Sequence, residues 1–121
     1  MDINSTNENM DLCEVPRWQL IKSSLSNLDY KDFVDSSRSD GDQGVIIDVR
    51  TSEEFEPEHI EGAKNLDYLS TDLADQLEKL DKTKSYYIYC RTGRRSLRVC
   101  VLLRNLGFEI VHNLESGIAA K

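Results

Sequence analysis

The sequence predicts an α/β fold: a central parallel sheet of about five strands with helices on both faces. Three observations lead there. Residues 45–49 (VIIDV) and 86–89 (YYIY) are β-branched and aromatic runs, the pattern of strands buried on both faces. Leu73, Leu77 and Leu80, and likewise Val99, Leu102, Leu103 and Leu106, recur at helical spacing between and after those runs. Strands that alternate with helices need crossover connections, and crossovers make parallel sheets covered on both sides.

Each element has its own local warrant. Residues 1–14 are rich in Asn, Asp, Glu and Ser and read as a flexible polar tail, so residues 15–121 form the expected single domain. Pro16 suits a first helical position and Trp18, Ile21 and Leu25 share a helical face, although RWQLI fits an edge strand equally well. Asn27 or Asp29 caps a helix bearing Tyr30, Phe33 and Val34 on one face, and the polar stretch from Ser36 to Gly44 ends it as a loop. Val45–Val49 is the first buried strand, bounded by Gly44 and Arg50. Thr51 to Glu54 spells a T-x-x-E capping box for a short helix that stops before Pro57. A weak strand follows at Ala63–Leu66, then a helix opening at Ser70 and closed by the turn at Asp81–Lys84. Tyr86–Tyr89 is a strand that ends at Cys90. A helix from Gly93 or Arg94 to Leu106 stops at Gly107, and Phe108–His112 is the last strand.

The chain has 121 residues, with 22 acidic against 15 basic side chains and a formal charge of −7. That balance argues against nucleic acid as a partner, because neutralising phosphates needs a broad basic face. No apolar run approaches the roughly 18 residues of a membrane span and the opening is polar, so no membrane partner and a cytoplasmic location are expected. Cys13, Cys90 and Cys100 are odd in number and contain no CxxC pair, which suggests neither a disulfide framework nor a cysteine zinc site. Each thiol is then core filler or reactive.

Cys90 has the setting of a reactive one. It stands at a strand end, followed by Gly93 for a tight turn and then by a helix start whose free amides point back toward the sulfur. Arg91, Arg94, Arg95 and Arg98 add positive charge within nine residues of an otherwise acidic chain. Helix N-termini and guanidinium groups depress a cysteine pKa below its free value of about 8.5, so a thiolate at neutral pH is the expectation. The site reads as a small anion-binding mouth on an acidic body.

With those residues in place, residues 45–120 resemble the rhodanese domain, the sulfurtransferase module. The matching pieces in order are VIIDVR with Asp48 and Arg50, EEFEPEHIEGAKN, YCRTGRRS and LLRNLGFEIVHNLESGIAA. The resemblance implies that Cys90 takes the outer sulfur of a small anionic donor such as thiosulfate, or of a persulfide, and passes it to cyanide or a thiol. A thioredoxin-type protein is among the thiols it allows. It implies that the backbone of Arg91, Thr92, Gly93, Arg94, Arg95 and Ser96 holds the transferred sulfur, that the arginines receive the anion, and that neither metal nor organic cofactor takes part. Asp48 and Arg50 are expected to fix the loops as an ion pair or a cap rather than to touch substrate. Ser96 either caps the helix or donates to the persulfide.

Related cysteine-loop phosphatases need C-x5-R, which would put arginine at position 96, where this chain has Ser96. A six-residue loop from Cys90 to Arg95 goes with sulfur transfer in this family, so phosphatase chemistry is set aside. His59 and His112 are expected to pack rather than catalyse, and Cys100 to sit in the core. The family commonly ends this region in G-G-I/L-x-x-W, whereas here residues 116–121 read SGIAAK. That departure predicts a frayed C-terminal edge or further chain beyond it. The competing function is a regulatory or protein-binding copy of the module without catalysis.

Overall fold

A computed structural model describes residues 25–120. The expected polar tail, the helix or strand near Trp18 and Cys13 lie outside the described residues. The elements are β1 (Ser26–Leu28), α1 (Tyr30–Ser39), a 3-10 turn (Gly41–Gln43), β2 (Gly44–Asp48), α2 (Ser52–Phe55), β3 (Lys64–Asn65), α3 (Leu73–Glu78), β4 (Ser85–Tyr89), α4 (Arg94–Asn105), β5 (Ile110–Leu114) and a final 3-10 turn (Ile118–Ala120). The five strands form one sheet in the order β1-β5-β4-β2-β3, and every pairing is parallel.

Side chains alternate across the sheet, which divides the core in two. Ile47, Tyr86, Ile88, Cys90 and Val111 pack on one side with Leu73, Leu77, Val99 and Leu103 from α3 and α4. Ile46, Tyr87, Tyr89 and Leu114 pack on the other with Phe33 and Val34 from α1. β4 is buried along its whole length, as a central strand covered on both faces must be.

Local chemistry sets the boundaries. Asp29 caps α1 by accepting from the Asp32 N–H, and α1 runs on to Ser39 instead of ending near Ser36. Ser37 is buried there because Gly44 passes close to it: a Cβ on Gly44 would sit 2.4 Å from the Ser37 carbonyl. The capping box at Thr51 and Glu54 forms as expected. α3 begins at Leu73 rather than Ser70, since the Ser70 hydroxyl binds the Asp72 carboxylate in a turn before the helix. α4 ends in a Schellman motif: Phe108 N–H donates to Leu103 O and Gly107 N–H to Arg104 O, with Gly107 at φ 100°. Phe108 is spent on that cap and on the Tyr86 ring, so the last strand starts at Ile110, two residues later than expected.

The outgoing connections of the neighbouring strands β2 and β4 run toward opposite edges of the sheet, β2 to β3 and β4 to β5. Such a switch point opens a crevice at the carboxyl ends of the two strands. Asp48 ends β2, and Cys90 follows β4.

Candidate active site

The Cys90 sulfur is enclosed by its own loop, and the residue is only 1% exposed. Gly93 N–H donates to Sγ at 3.0 Å and Ser96 N–H at 3.4 Å, while Ser96 Oγ lies 3.5 Å away. These donors come from the N-cap residue and first turn of the 12-residue α4, whose N-terminus has no side-chain cap, so its amides and dipole are directed at the sulfur. Gly93 makes the turn at φ 93°, and a Cβ there would lie 2.3 Å from the Glu115 carbonyl.

The loop is braced from the C-terminal side. Ile118 N–H donates to Cys90 O at 2.9 Å and Ala119 N–H to Arg91 O at 3.0 Å. Ile118 is buried, so through these residues the edge is anchored by the loop rather than frayed. Gly117 lies under the same peptide: a Cβ there would meet Arg91 O at 2.2 Å. Gly93 and Gly117 interlock two backbones that no larger residue would let approach.

Asp48 and Arg50 form a buried two-toothed ion pair, Nη2 to Oδ2 at 2.8 Å and Nε to Oδ1 and Oδ2 at 3.1 and 3.0 Å. Arg50 also donates to Glu58 O at 2.6 Å and lies 5.8 Å from the Tyr89 ring centroid. Burial works against its charge, but the paired Asp48 outweighs burial and raises the Arg50 pKa. This pair ties the β2 end to the loop before β3 and leaves Cys90 untouched.

The arginines do not all converge. Arg91 is exposed and lines a cleft of about 540 Å³ with Arg50, Glu54, Glu58, Ile118 and Ala119, so this cleft carries both signs of charge. Arg95 pairs with Glu54 at 3.5 Å. The Thr51 backbone N–H, then its hydroxyl and Arg95, hold the Glu54 carboxyl below its ordinary pKa against partial burial. Arg94 and Thr92 are exposed, and Arg98 reaches the Tyr68 hydroxyl at 3.4 Å.

His59 stacks on Phe55 and its Nδ1 bonds the Phe55 carbonyl; His112 lies on the α1 side of the sheet, 2.6 Å from Ser26 Oγ. Neither contacts the sulfur. Cys100 is fully buried in α4, and burial, then the nearby Cys90, push its thiol pKa far up. Two contributors escaped the sequence reading. Gly117 braces the loop, and buried Asn113 on β5 accepts from Ser96 Oγ at 2.5 Å. The available signal for Asn113 was a polar residue inside an apolar strand buried on both faces. Among the described residues, no group of three or more His, Cys, Asp or Glu side chains is arranged to hold a metal ion, and no helix is long and apolar enough to cross a membrane.

Residues 29–120 match the family model described as Rhodanese-like domain. The chain is 30% identical over 98 residues to the probable adenylyltransferase/sulfurtransferase MoeZ of Mycobacterium tuberculosis, covering 81% of this chain but only 24% of that protein. It is 38% identical over 73 residues to the thiosulfate sulfurtransferase GlpE of Coxiella burnetii, covering 60% of this chain and 66% of that one. The crystal structure of a rhodanese-like domain protein from Staphylococcus aureus superposes with a TM-score of 0.68 at 28% identity, over 79% of this chain and 90% of that one. A cysteine loop at the carboxyl end of a five-stranded parallel sheet, matched across most of the chain by one family model, makes this chain a member of the rhodanese-like domain family.

Proposed function

We propose that this protein is a sulfurtransferase in which Cys90 carries a sulfane sulfur from thiosulfate, or from a persulfide donor, to cyanide or a thiol acceptor. The observation that carries this reading is the Cys90 sulfur set against the Gly93 and Ser96 N–H groups at the start of α4. Backbone donors in a site closed to solvent stabilise negative charge without reorganising as the charge moves. The sulfurtransferase names of the matched relatives support the same reaction type.

The step is a displacement at sulfur. The Cys90 thiolate attacks the outer sulfur of thiosulfate, an S–S bond forms, and the bond to the sulfonate breaks with its electron pair leaving as sulfite. The acceptor then attacks the outer sulfur of the persulfide, and the electron pair of the S–S bond returns to Cys90. Arg91 and Arg94 receive the anionic donor at the rim, and Asp48 with Arg50 holds the neighbouring loop. Thr92, Gly93, Arg95 and Ser96 complete the ring around the transferred sulfur. The acting unit is a single rhodanese-like domain within residues 15–121, behind the polar tail. The proposed compartment is the cytoplasm, where thiols are kept reduced.

Initial-rate kinetics with thiosulfate and cyanide test this. Parallel double-reciprocal lines and no thiocyanate from Cys90→Ser are expected, because a covalent intermediate gives ping-pong behaviour. Intersecting lines, or an active Cys90→Ser, refute it. No turnover with any donor leaves the regulatory or binding module as the better description.

A further inference from the structure

The Ser96 hydroxyl has one hydrogen and two neighbours placed to take it, Cys90 Sγ at 3.5 Å and Asn113 Oδ1 at 2.5 Å. Which one receives it is settled far from the sulfur. On edge strand β1, Asn27 Nδ2 donates to the Leu25 carbonyl at 3.0 Å, a partner that only accepts. The Asn27 oxygen is therefore left for Asn113, whose Nδ2 donates to it at 2.9 Å. Asn113 then has only its oxygen to offer Ser96, and the hydroxyl hydrogen goes there. The contact with the Leu25 carbonyl favours that direction for the bonds along the chain, and Asn113 is buried away from bulk water.

We propose that Asn113, oriented by Asn27, is a positioning residue for the Cys90 sulfur: it draws the Ser96 hydrogen away and leaves an oxygen lone pair facing Sγ. Ser96 Oγ then accepts from the thiol S–H and opposes a full charge on the sulfur, while the two N–H donors favour that charge. The inner sulfur of a persulfide has neither hydrogen nor full charge, so the opposing contact falls away on loading. The chain therefore biases the site toward its loaded form over the free thiolate. An amide oxygen does not take up a proton at neutral pH, so this is a positioning chain and not a proton relay.

Charged groups on the packed elements are the Asp48–Arg50 pair at the end of β2, Glu54 on α2 with its partner Arg95, and Arg94 on α4. Cys100 on α4 is electrostatically coupled to Cys90, and Arg91 and Glu115 lie on the adjoining loops. Asn27, Asn113 and Ser96 carry no charge, so substituting them leaves all of these in place.

This inference deepens the sulfur-carrier reading, yet it is measurable without turnover. Thiolate absorbance of the full chain is followed against pH, with Cys90→Ser subtracted. Asn27→Ala lets the Asn113 amide turn its nitrogen to Ser96, whose hydrogen then points at the sulfur; the thiolate should appear about half a pH unit lower, roughly a threefold change. Ser96→Ala removes the opposing lone pair and should also move the midpoint down, and Asn27→Ala should add nothing in that background. A midpoint that rises or stays put in Ser96→Ala overturns the proposal even where Asn27→Ala does not fold. So does a folded Asn27→Ala variant with the parent midpoint. If these shifts occur but no thiocyanate is ever formed, the sulfurtransferase reading fails and this one stands.

Discussion

Substituting Gly117 by Ala inserts one methyl group between the chain end and the back of the cysteine loop. The new Cβ would sit 2.2 Å from Arg91 O, 2.4 Å from Arg91 C and 2.5 Å from Thr92 N, all backbone atoms that have no side-chain freedom to give way. Ordinary contact requires the loop to retreat by about 1 Å. Gly117 also has φ 73°, a left-handed conformation that costs a non-glycine residue about 1–2 kcal/mol. Overpacking adds roughly 1–3 kcal/mol, for a total of about 2–5 kcal/mol. In a domain of this size that lowers the melting temperature by about 10 °C or more. The retreat moves Cys90 relative to the α4 amides, and a misplacement of about 1 Å costs on the order of a hundredfold in rate. Gly44→Ala is the control. Its Cβ would meet Ser37 O at 2.4 Å, but at φ −93° and at the opposite end of β2 from Asp48. Thermal melts by circular dichroism and sulfur transfer per folded molecule should show both variants destabilised and only Gly117→Ala slowed. Parental stability and rate in Gly117→Ala, or equal slowing in both, would refute the bracing of the loop by the chain end.

Asp48→Ala leaves the Arg50 guanidinium without its partner in a buried site, and urea unfolding should show a loss of about 3–5 kcal/mol; a loss below about 1 kcal/mol would remove the pair from the account. Burial lowers the His112 pKa, so between the folded value and the ordinary value of about 6.5 the unfolded chain binds more protons. His112 therefore contributes stability that is fully present above about 6.5 and is lost as pH falls through the folded value. His112→Gln should flatten the stability profile over that acid range, and an unchanged slope contradicts the assignment. Replacing Arg94 and Arg95 together by Ala should raise KM for thiosulfate about tenfold while sparing an uncharged sulfur donor, and equal losses would discard the charge argument.

What the sequence disclosed follows the physics of each element. β2 and β4 were legible because strands buried on both faces are written as β-branched and aromatic runs. The Thr51 capping box and the Gly107 stop are side-chain and backbone devices with fixed spacing. β1 was not legible: it is three half-buried residues, SNL, held in place by parallel pairing with β5, a partner more than eighty positions away. The start of β5 shifted for a related reason, since Phe108 serves the helix cap, a tertiary choice that no strand pattern records. At the site, Cys90, Gly93 and Ser96 were readable as one local loop, whose amides need only the helix that follows. The destinations of the arginines were not. Arg95 turns to Glu54 and Arg98 to Tyr68, partners that come from loops and helices distant in the chain. The Asn27–Asn113–Ser96 chain joins three elements and exists only once the sheet is assembled.

The central claim is that Cys90 carries the transferred sulfur, and the most direct test is the mass of the Cys90 peptide after the full chain has met thiosulfate. The account predicts a gain of one sulfur atom, about 32 Da, located on Cys90, with an equivalent of sulfite released and the added mass removed by cyanide or a thiol. Cys100, buried with its pKa pushed far up, should stay unmodified. An unmodified Cys90 peptide, or sulfur located elsewhere while transfer proceeds, would contradict it.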